Sequence, residues 1–336
     1  MHHIPGCSRI RWFAIVNHSA ADNSAAAEWS LTERSLREKG IEIETAFATH
    51  RYHAVELTVA AVRKGIRHII AVGDATTLHE IVNGLFIQQT VPAAAVTLGI
   101  LSEGGCGIDA VPTTIPEAVT AIASGVVVSH PVATVSYHQS RYRQERMLVA
   151  GAGMGLYACL TARLARLREE GTDNRLRRFL VAVRTVLTYR FPLVRIHADG
   201  RLVFTGRVTG AKVTITPQEE PAGSDAARMT VSVTPRTNRM KLLCRTASLL
   251  RGTSPDSASS PTFRGNDIRI AAEGRFALEA EGHPLGEAPV AFRTTGATVS
   301  LAVPAPATDN PMEYEPPRPR KRPLSHPARE IRPPLT

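Results

Sequence analysis

Residues 68–86, HIIAVGDATTLHEIVNGLF, decide the fold of this 336-residue chain. The run at 69–72 is short and apolar, which is typical of a buried parallel strand. After residues 73–77, apolar side chains recur at the three-, four- and seven-residue spacings of one helix face: Leu78, Ile81, Val82 and Leu85. A turn between a strand and a helix start presents free N–H groups, which favour phosphate.

The same strand–helix alternation extends to both sides of this segment. We predict strands at 10–16, 41–47 and 93–101, and helices at 24–39, 52–64 and 114–124. Such alternation indicates an α/β three-layer, doubly wound domain with a parallel sheet. Ligands bind at the carboxyl ends of strands in such sheets, which places Asn17, Asp74 and the loop 101–109 on one rim.

From about residue 126 the pattern changes to short alternating or β-branched runs between turn residues. These favour an antiparallel sandwich or barrel, and we predict a β-sandwich. We expect domains at 1–128 and at 129–304, the second with a helical insertion at 158–189. Residues 305–336 are rich in Pro and Arg and are predicted to form a disordered tail.

The net charge of +10 is concentrated in one region. Residues 141–212 carry 15 Lys and Arg against five acids. This indicates either a solvated Arg-rich helical face or attraction to an anionic membrane surface or to nucleotide phosphates. Nucleic-acid binding is not expected, because no nucleic-acid motif accompanies the charge.

Other features bear on the compartment. No apolar run approaches the roughly 18 to 20 residues of a membrane span, and the N-terminus lacks the apolar core of a signal peptide. The four cysteines are isolated in sequence and are expected to be reduced thiols: Cys7, Cys106, Cys159 and Cys244. We therefore expect a cytoplasmic protein.

Residues 72–85 resemble the signature G-G-D-G-T/L-x-[NH]-E-V-[VI]-N-G-L of diacylglycerol and sphingosine-type lipid kinases, the DAGK catalytic domain family. Residues 17–21, 98–109 and 148–155 resemble further family segments on the nucleotide side and in the second domain. Residues 278–290 resemble the family hairpin x-x-x-D-G-E-P-x-G-x-x-P-[VL].

The resemblance implies a two-domain lipid kinase-like architecture and a role in phospholipid metabolism. It implies ATP- and Mg²⁺-dependent phosphoryl transfer to a lipid hydroxyl by a peripheral protein at an anionic membrane surface, with a homodimer as a further expectation. Asp74 is carried over as the residue for metal or base work, Asp109 as a second metal ligand, and His283 as the base that replaces the family glutamate. The expected ATP-binding residues are Asn17, Gly73, Thr76, Glu80, Gly105 and Gly107.

The chain departs from the family at each nucleotide-side landmark. Val72 and Ala75 stand where the signature has glycines, and Glu281 stands where the hairpin has aspartate. The alternative function is therefore a catalytically inactive pseudokinase that retains the fold as a lipid- or protein-binding module. Single residues also keep structural alternatives: Asp74 as a helix N-cap, Glu80 in packing or capping, the glycine loop as a turn, and His283 on the surface.

Overall fold

The structure is a computed structural model, which describes residues 11–17, 23–139, 142–216, 228–250 and 260–305. Of the predicted tail, only Ala305 is among the described residues. Cys7 and residues 18–21 of the first family segment also lie outside them. Cys106, Cys159 and Cys244 form no disulfide in this structure, and their expected reduced state stays a prediction. Within these ranges no helix combines the length and apolar character needed to cross a membrane.

The N-terminal part alternates strands and helices, as predicted. Its strands and helices are β1 (Arg11–Asn17), α1 (Asn23–Glu38), β2 (Glu42–Ala48), α2 (His53–Arg63), β3 (His68–Val72), α3 (Ala75–Gln88), β4 (Thr97–Leu101) and α4 (Ile115–Ser124). The predicted strand at 93–101 is too long, because Ala93–Ala95 form a short 3-10 helix and pairing with β3 begins at Thr97.

The four strands form a parallel sheet in the order β2-β1-β3-β4. One face packs against α2 and α3 through side chains that include Ala61 and Leu78. The opposite face packs against α1 and α4 through Trp29 and Val119. The predicted three-layer α/β arrangement is thus confirmed. Successive strands are added in one direction from β1 to β2 and in the other from β1 to β3 and β4, so the strand order reverses between β1 and β3.

The C-terminal part is dominated by antiparallel strands. Its elements are β5 (Val127–Gln139), β6 (Tyr142–Leu148), β7 (Gly151–Gly155), α5 (Leu156–Glu169), α6 (Arg175–Thr188), β8 (Leu193–Ala198), β9 (Arg201–Thr216), β10 (Arg228–Pro235), α7 (Arg239–Leu250), β11 (Thr262–Gly265), β12 (Asp267–Glu273), β13 (Ala277–Ala280) and β14 (His283–Ala302). The predicted helical insertion is two helices, separated at Gly171 and started anew by the Asn174 N-cap. Helix α7 was not predicted.

The predicted β-sandwich is wrong, because these strands close into a ring. β7 pairs with β9, β9 with β8, β8 with β12, β12 with β14, β14 with β13, and β13 with β7. This is a six-stranded barrel around an apolar core that includes Phe276 and Phe292. Register shifts along β14 let one long strand curve around the ring, as bulges generally do.

Strand β14 joins both parts of the fold. Its end pairs in parallel with β4 at Ser300 and Leu301, and its beginning carries His283 back towards α3. Residues distant in sequence therefore meet where the parallel sheet and the barrel join. The domain limits at 128 and 304 stay a prediction.

Candidate functional site

The turn after β3 lies beside the point where the strand order of the parallel sheet reverses, between β1 and β3. A Cβ placed on Gly73 would lie 2.7 Å from Thr77 Oγ1 and 3.1 Å from Asn17 Cβ. The φ of Gly73, 142°, is also one that side-chain-bearing residues rarely adopt. Gly73 therefore brings the β1 end, the β3 end and the first turn of α3 together, as expected for a ligand crevice in this sheet class.

Thr77 provides an unsatisfied polar group beside this turn. Its hydroxyl is buried and has no hydrogen-bond partner among the described residues. Such an atom normally finds a partner, because leaving it unpaired costs about 1–3 kcal/mol. The Thr77 hydroxyl, the close approach of Gly73 to Asn17 and Thr77 (the Gly73 cradle) and the α3 N-terminus together fit a phosphate oxygen of ATP. Gly73, Asn17 and Thr77 are the residues that would hold it.

Asp74 caps α3. Its Oδ1 accepts a hydrogen bond from the Thr76 backbone N–H at 3.1 Å and another from the Thr76 hydroxyl. The side chain is exposed at the open end of the turn. The capping alternative thus describes its contacts, and the proposed metal or base role stays a prediction.

Glu80 is buried one turn further along α3 and stabilises the start of α2. Its carboxylate accepts the N–H groups of Tyr52 at 2.9 Å and Ala54 at 3.2 Å. These are unsatisfied donors of a helix N-terminus, where negative charge is favourable. The capping alternative is therefore confirmed for Glu80, while its predicted contact with nucleotide stays a prediction.

His283 is buried, so the surface alternative is wrong. Its Nε2 lies 3.3 Å from Glu80 Oε1 and 3.3 Å from the Thr76 carbonyl, and its ring stacks on Tyr52 at 5.6 Å. The Thr76 carbonyl oxygen can only accept a hydrogen bond, and so can the carboxylate of ionised Glu80. Nε2 of His283 therefore carries the ring hydrogen. In the neutral ring Nδ1 is then the basic nitrogen.

Glu281 centres a second buried cluster that sequence reasoning missed as a unit. Its Oε2 lies 2.8 Å from His79 Nδ1, and its Oε1 accepts the N–H groups of Val149 and Ala150 at 2.7 and 2.6 Å. Burial opposes ionisation, but these hydrogen bonds lower the pKa of Glu281. The cluster ties α3 to the barrel.

Asn83 extends this cluster along α3. Its amide exchanges hydrogen bonds with the Met147 backbone, at 2.9 Å to the N–H and 3.2 Å to the carbonyl, and reaches the His79 ring at 3.3 Å. The signal in the sequence was the H-E-I-V-N spacing, which places His79, Glu80 and Asn83 within one turn of α3. Their partners at residues 147–151 and 281 carried no local signal.

Glu279 is a further buried acid that the sequence did not single out. Its Oε2 accepts the Gly282 N–H at 3.0 Å, and Gly153 leaves space for the carboxyl, because a Cβ at that position would clash with Oε1. Burial, with the charge of Glu281, raises its pKa from 4.5 to about 7. The carboxyl is therefore half protonated near neutral pH.

The glycine loop after β4 is internally bonded. The N–H of Gly104 donates to Thr113, and that of Gly105 donates to Ser102. Gly105 and Gly107 have φ of 80° and 84°, so glycine is required by the backbone itself. The turn alternative accounts for these contacts, and nucleotide binding by Gly105 and Gly107 stays a prediction.

Asp109 is exposed and borders a cavity of about 480 Å³ with Val111, Pro112 and Glu117. The predicted role of Asp109 as a second metal ligand beside Asp74 stays a prediction. Among the described ranges, no group of three His, Cys, Asp or Glu side chains is arranged to hold a metal ion. The described residues thus offer Asp74 as one carboxylate beside the Gly73 turn, a number that Mg²⁺ accepts when phosphate oxygens and water complete its shell.

Known proteins share both sequence and fold features with this chain. Residues 11–135 match the family model of the diacylglycerol kinase catalytic domain. Among curated proteins no relative matches the sequence. Structures of Bacillus anthracis str. Sterne proteins share the fold, two of them provisionally described as a diacylglycerol kinase and one described as a diacylglycerol kinase.

The first of these structures is 17% identical, covers 90% of this chain and 99% of its own, and has a TM-score of 0.58. The second is 17% identical with coverages of 90% and 100% and a TM-score of 0.60. The third is 16% identical with coverages of 90% and 99% and a TM-score of 0.56. At these identities the likeness shows the fold alone. The family match, which covers the Gly73 turn and helix α3, confirms the resemblance of this chain to the diacylglycerol kinase family.

Proposed function

We propose that this chain is an ATP-dependent lipid kinase of the diacylglycerol kinase type, which phosphorylates the hydroxyl of a diacylglycerol- or sphingoid-like lipid. The observation that carries the proposal is the unpartnered Thr77 hydroxyl beside the Gly73 cradle at the start of α3. Such a group at a helix N-terminus is suited to a phosphate oxygen. When bound, ATP would supply the transferable phosphoryl group.

The residues around the turn have separate tasks in this proposal. Asn17, Gly73, Thr76 and Thr77 hold the phosphates, and Asp74 holds Mg²⁺ against them. His283 accepts the lipid hydroxyl proton at Nδ1, because its Nε2 is oriented by Glu80 and Thr76. Tyr52 stacks on the ring and keeps it in that orientation.

A second function, that of a pseudokinase, is favoured by the carboxylates. Glu80 caps α2, Glu281 binds the backbone at 149–151, and Asp74 caps α3, so three acids of the site have structural partners. Gly282 also lies against Thr76, since a Cβ on Gly282 would be 2.8 Å from Thr76 Cγ2. In that function the module binds lipid or protein without turnover.

Calorimetry with MgATP, paired with a lipid phosphorylation assay, tests the proposal. We expect Thr77→Val to weaken MgATP binding by at least about tenfold, since a lost hydrogen bond to a charged group is worth about 1.5–3 kcal/mol. We expect Asp74→Asn and His283→Gln to lower turnover more than binding. Binding without any turnover would establish the pseudokinase, and no nucleotide binding at all would contradict the kinase.

A further inference from the structure

Helix α6 presents an apolar surface that the barrel and its neighbouring helices do not cover. We call this the α6 stripe: Leu176, Phe179, Leu180, Val183 and Leu187. Leu176 is 67% exposed, and Phe179, Leu180 and Leu187 are each at least half exposed. The spacing of three, four, seven and eleven residues places all five on one side of the helix.

The side of α6 next to the stripe is already packed. Ala182, Thr185 and Val186 are buried, and Val186 contacts the cluster formed by Leu156, Tyr189 and Leu242. The Arg163 guanidinium donates to Thr185 Oγ1 at 2.8 Å. The helix is therefore fixed to α5 and α7 by one side, so the α6 stripe is a surface feature and not a core left open.

Arginines flank the α6 stripe. Arg177 and Arg184 lie to one side of it and Arg175 to the other, at 3.6 residues per turn, and all three are exposed. Helix α6 contains no acidic residue. Of the nearby described acids, Asp173 is paired with Arg178 and Glu170 is exposed in the α5–α6 turn.

We propose that the α6 stripe and its arginines dock this protein on an anionic lipid bilayer. An apolar side that contains Phe and Leu, edged by arginine, is the composition of helices that lie in the membrane interface. The charge favours an anionic partner, and the choice of a bilayer over an acidic protein surface rests on the proposed lipid substrate. Helix α6 packs on α5, and α5 packs on β13, the strand that leads directly into Glu281 and His283, so the α6 stripe is connected to the candidate site through packed elements.

Vesicle sedimentation of the full chain without ATP tests this docking separately from turnover. We use phosphatidylcholine vesicles with and without about 30% phosphatidylglycerol, and expect selective binding to the anionic ones. Phe179→Ser with Leu180→Ser should weaken binding at least about tenfold. Arg177→Gln with Arg184→Gln should weaken it roughly 30-fold, at about fivefold per arginine.

Matched controls lie elsewhere on the surface. Leu31→Ser removes a side chain that is 65% exposed on α1, and Arg201→Gln with Arg264→Gln removes the same charge from strands β9 and β11. Both should bind vesicles as the wild type does.

The proposal is overturned if the wild type does not prefer anionic vesicles, or if controls and α6 variants lose binding equally. It is also overturned if Phe179→Ser with Leu180→Ser instead dissociates a dimer that shows no vesicle binding. MgATP affinity, measured alongside, should be the same in all variants whether or not the proposed kinase activity exists.

Discussion

The first turn of α3 and the two turns after it differ in how their polar groups are satisfied. At the first turn of α3, Asp74 is exposed and Thr77 is buried without a partner among the described residues. Within the next two turns, His79, Glu80 and Asn83 are buried and fully engaged with α2 and the barrel. The first turn has an unsatisfied polar group that suits a ligand. The next two turns form a structural joint, in which His79, Glu80 and Asn83 connect α3 to α2 and the barrel. This difference explains why a family signature can persist in its helical half while its nucleotide half varies.

The largest effect is expected at the joint. Glu281→Ala should lower the free energy of unfolding by about 3–5 kcal/mol, because it leaves His79 and the N–H groups at 149–151 unpaired in the interior. Glu287→Ala, which breaks an exposed pair with Arg275, should lower it by less than about 1 kcal/mol. Urea unfolding measures both, and equal losses would contradict a structural joint. Because the pKa of Glu281 is lowered in the fold, its contribution is present above its ordinary pKa and lost as pH falls through the folded value.

Glu279 should give the opposite pH dependence. Its pKa rises from 4.5 to about 7 on folding, so the unfolded chain ionises first and stability falls as pH rises between these values. Glu279→Gln should remove this fall and stabilise the protein above pH 7 by roughly 3 kcal/mol at most. Urea unfolding across this pH range measures it. A wild-type stability that does not fall between pH 4.5 and pH 7 relative to the variant would show that Glu279 is not buried as described.

The Gly73 turn is tested against a glycine that has only the backbone constraint. Gly40 has a φ of 83° and nothing within 4 Å of the position that a Cβ would take, whereas a Cβ on Gly73 would contact Thr77 and Asn17. Both alanine variants should lose about 1–2 kcal/mol of stability from backbone strain, and Gly73→Ala should lose more because its Cβ would crowd Thr77 and Asn17. Only Gly73→Ala should also lose MgATP affinity, by calorimetry. If Gly40→Ala lowered affinity equally, the Gly73 cradle would have no specific role.

The smallest effect is expected at Asp74, where capping and charge can be separated. Asp74→Ala should cost about 1 kcal/mol through the lost cap, whereas Asp74→Asn keeps an oxygen for Thr76 and should cost little. Thermal unfolding measures the stability lost with the cap in Asp74→Ala. Mg²⁺-dependent ATP binding by Asp74→Asn measures what the charge contributes. Intact Mg²⁺ dependence in Asp74→Asn would leave Asp74 as a cap alone.

Much of the fold was predictable because its signals are local. The apolar run before Gly73 and the periodicity after it identify β3 and α3, and the same reasoning located α1, α2 and α4 within one or two residues. The barrel was not predictable, because ring closure depends on which strands pair, and a short strand pattern is the same in a sandwich. Helix α7 was not predictable either, since it lies in a region whose surroundings indicate only a connection between strands.

The candidate site divides in the same way. Sequence alone determined Gly73, Asp74, Thr76 and Glu80 as neighbours, since a turn and the helix after it fix their spacing. Only the tertiary structure decided that His283 is buried against Glu80, that Glu281 binds His79, and that Thr77 has no partner among the described residues. Helical periodicity acts over a few residues, whereas burial and pKa are set by the approach of segments some 200 residues apart. That approach is fixed when β14 closes the barrel and returns to the parallel sheet.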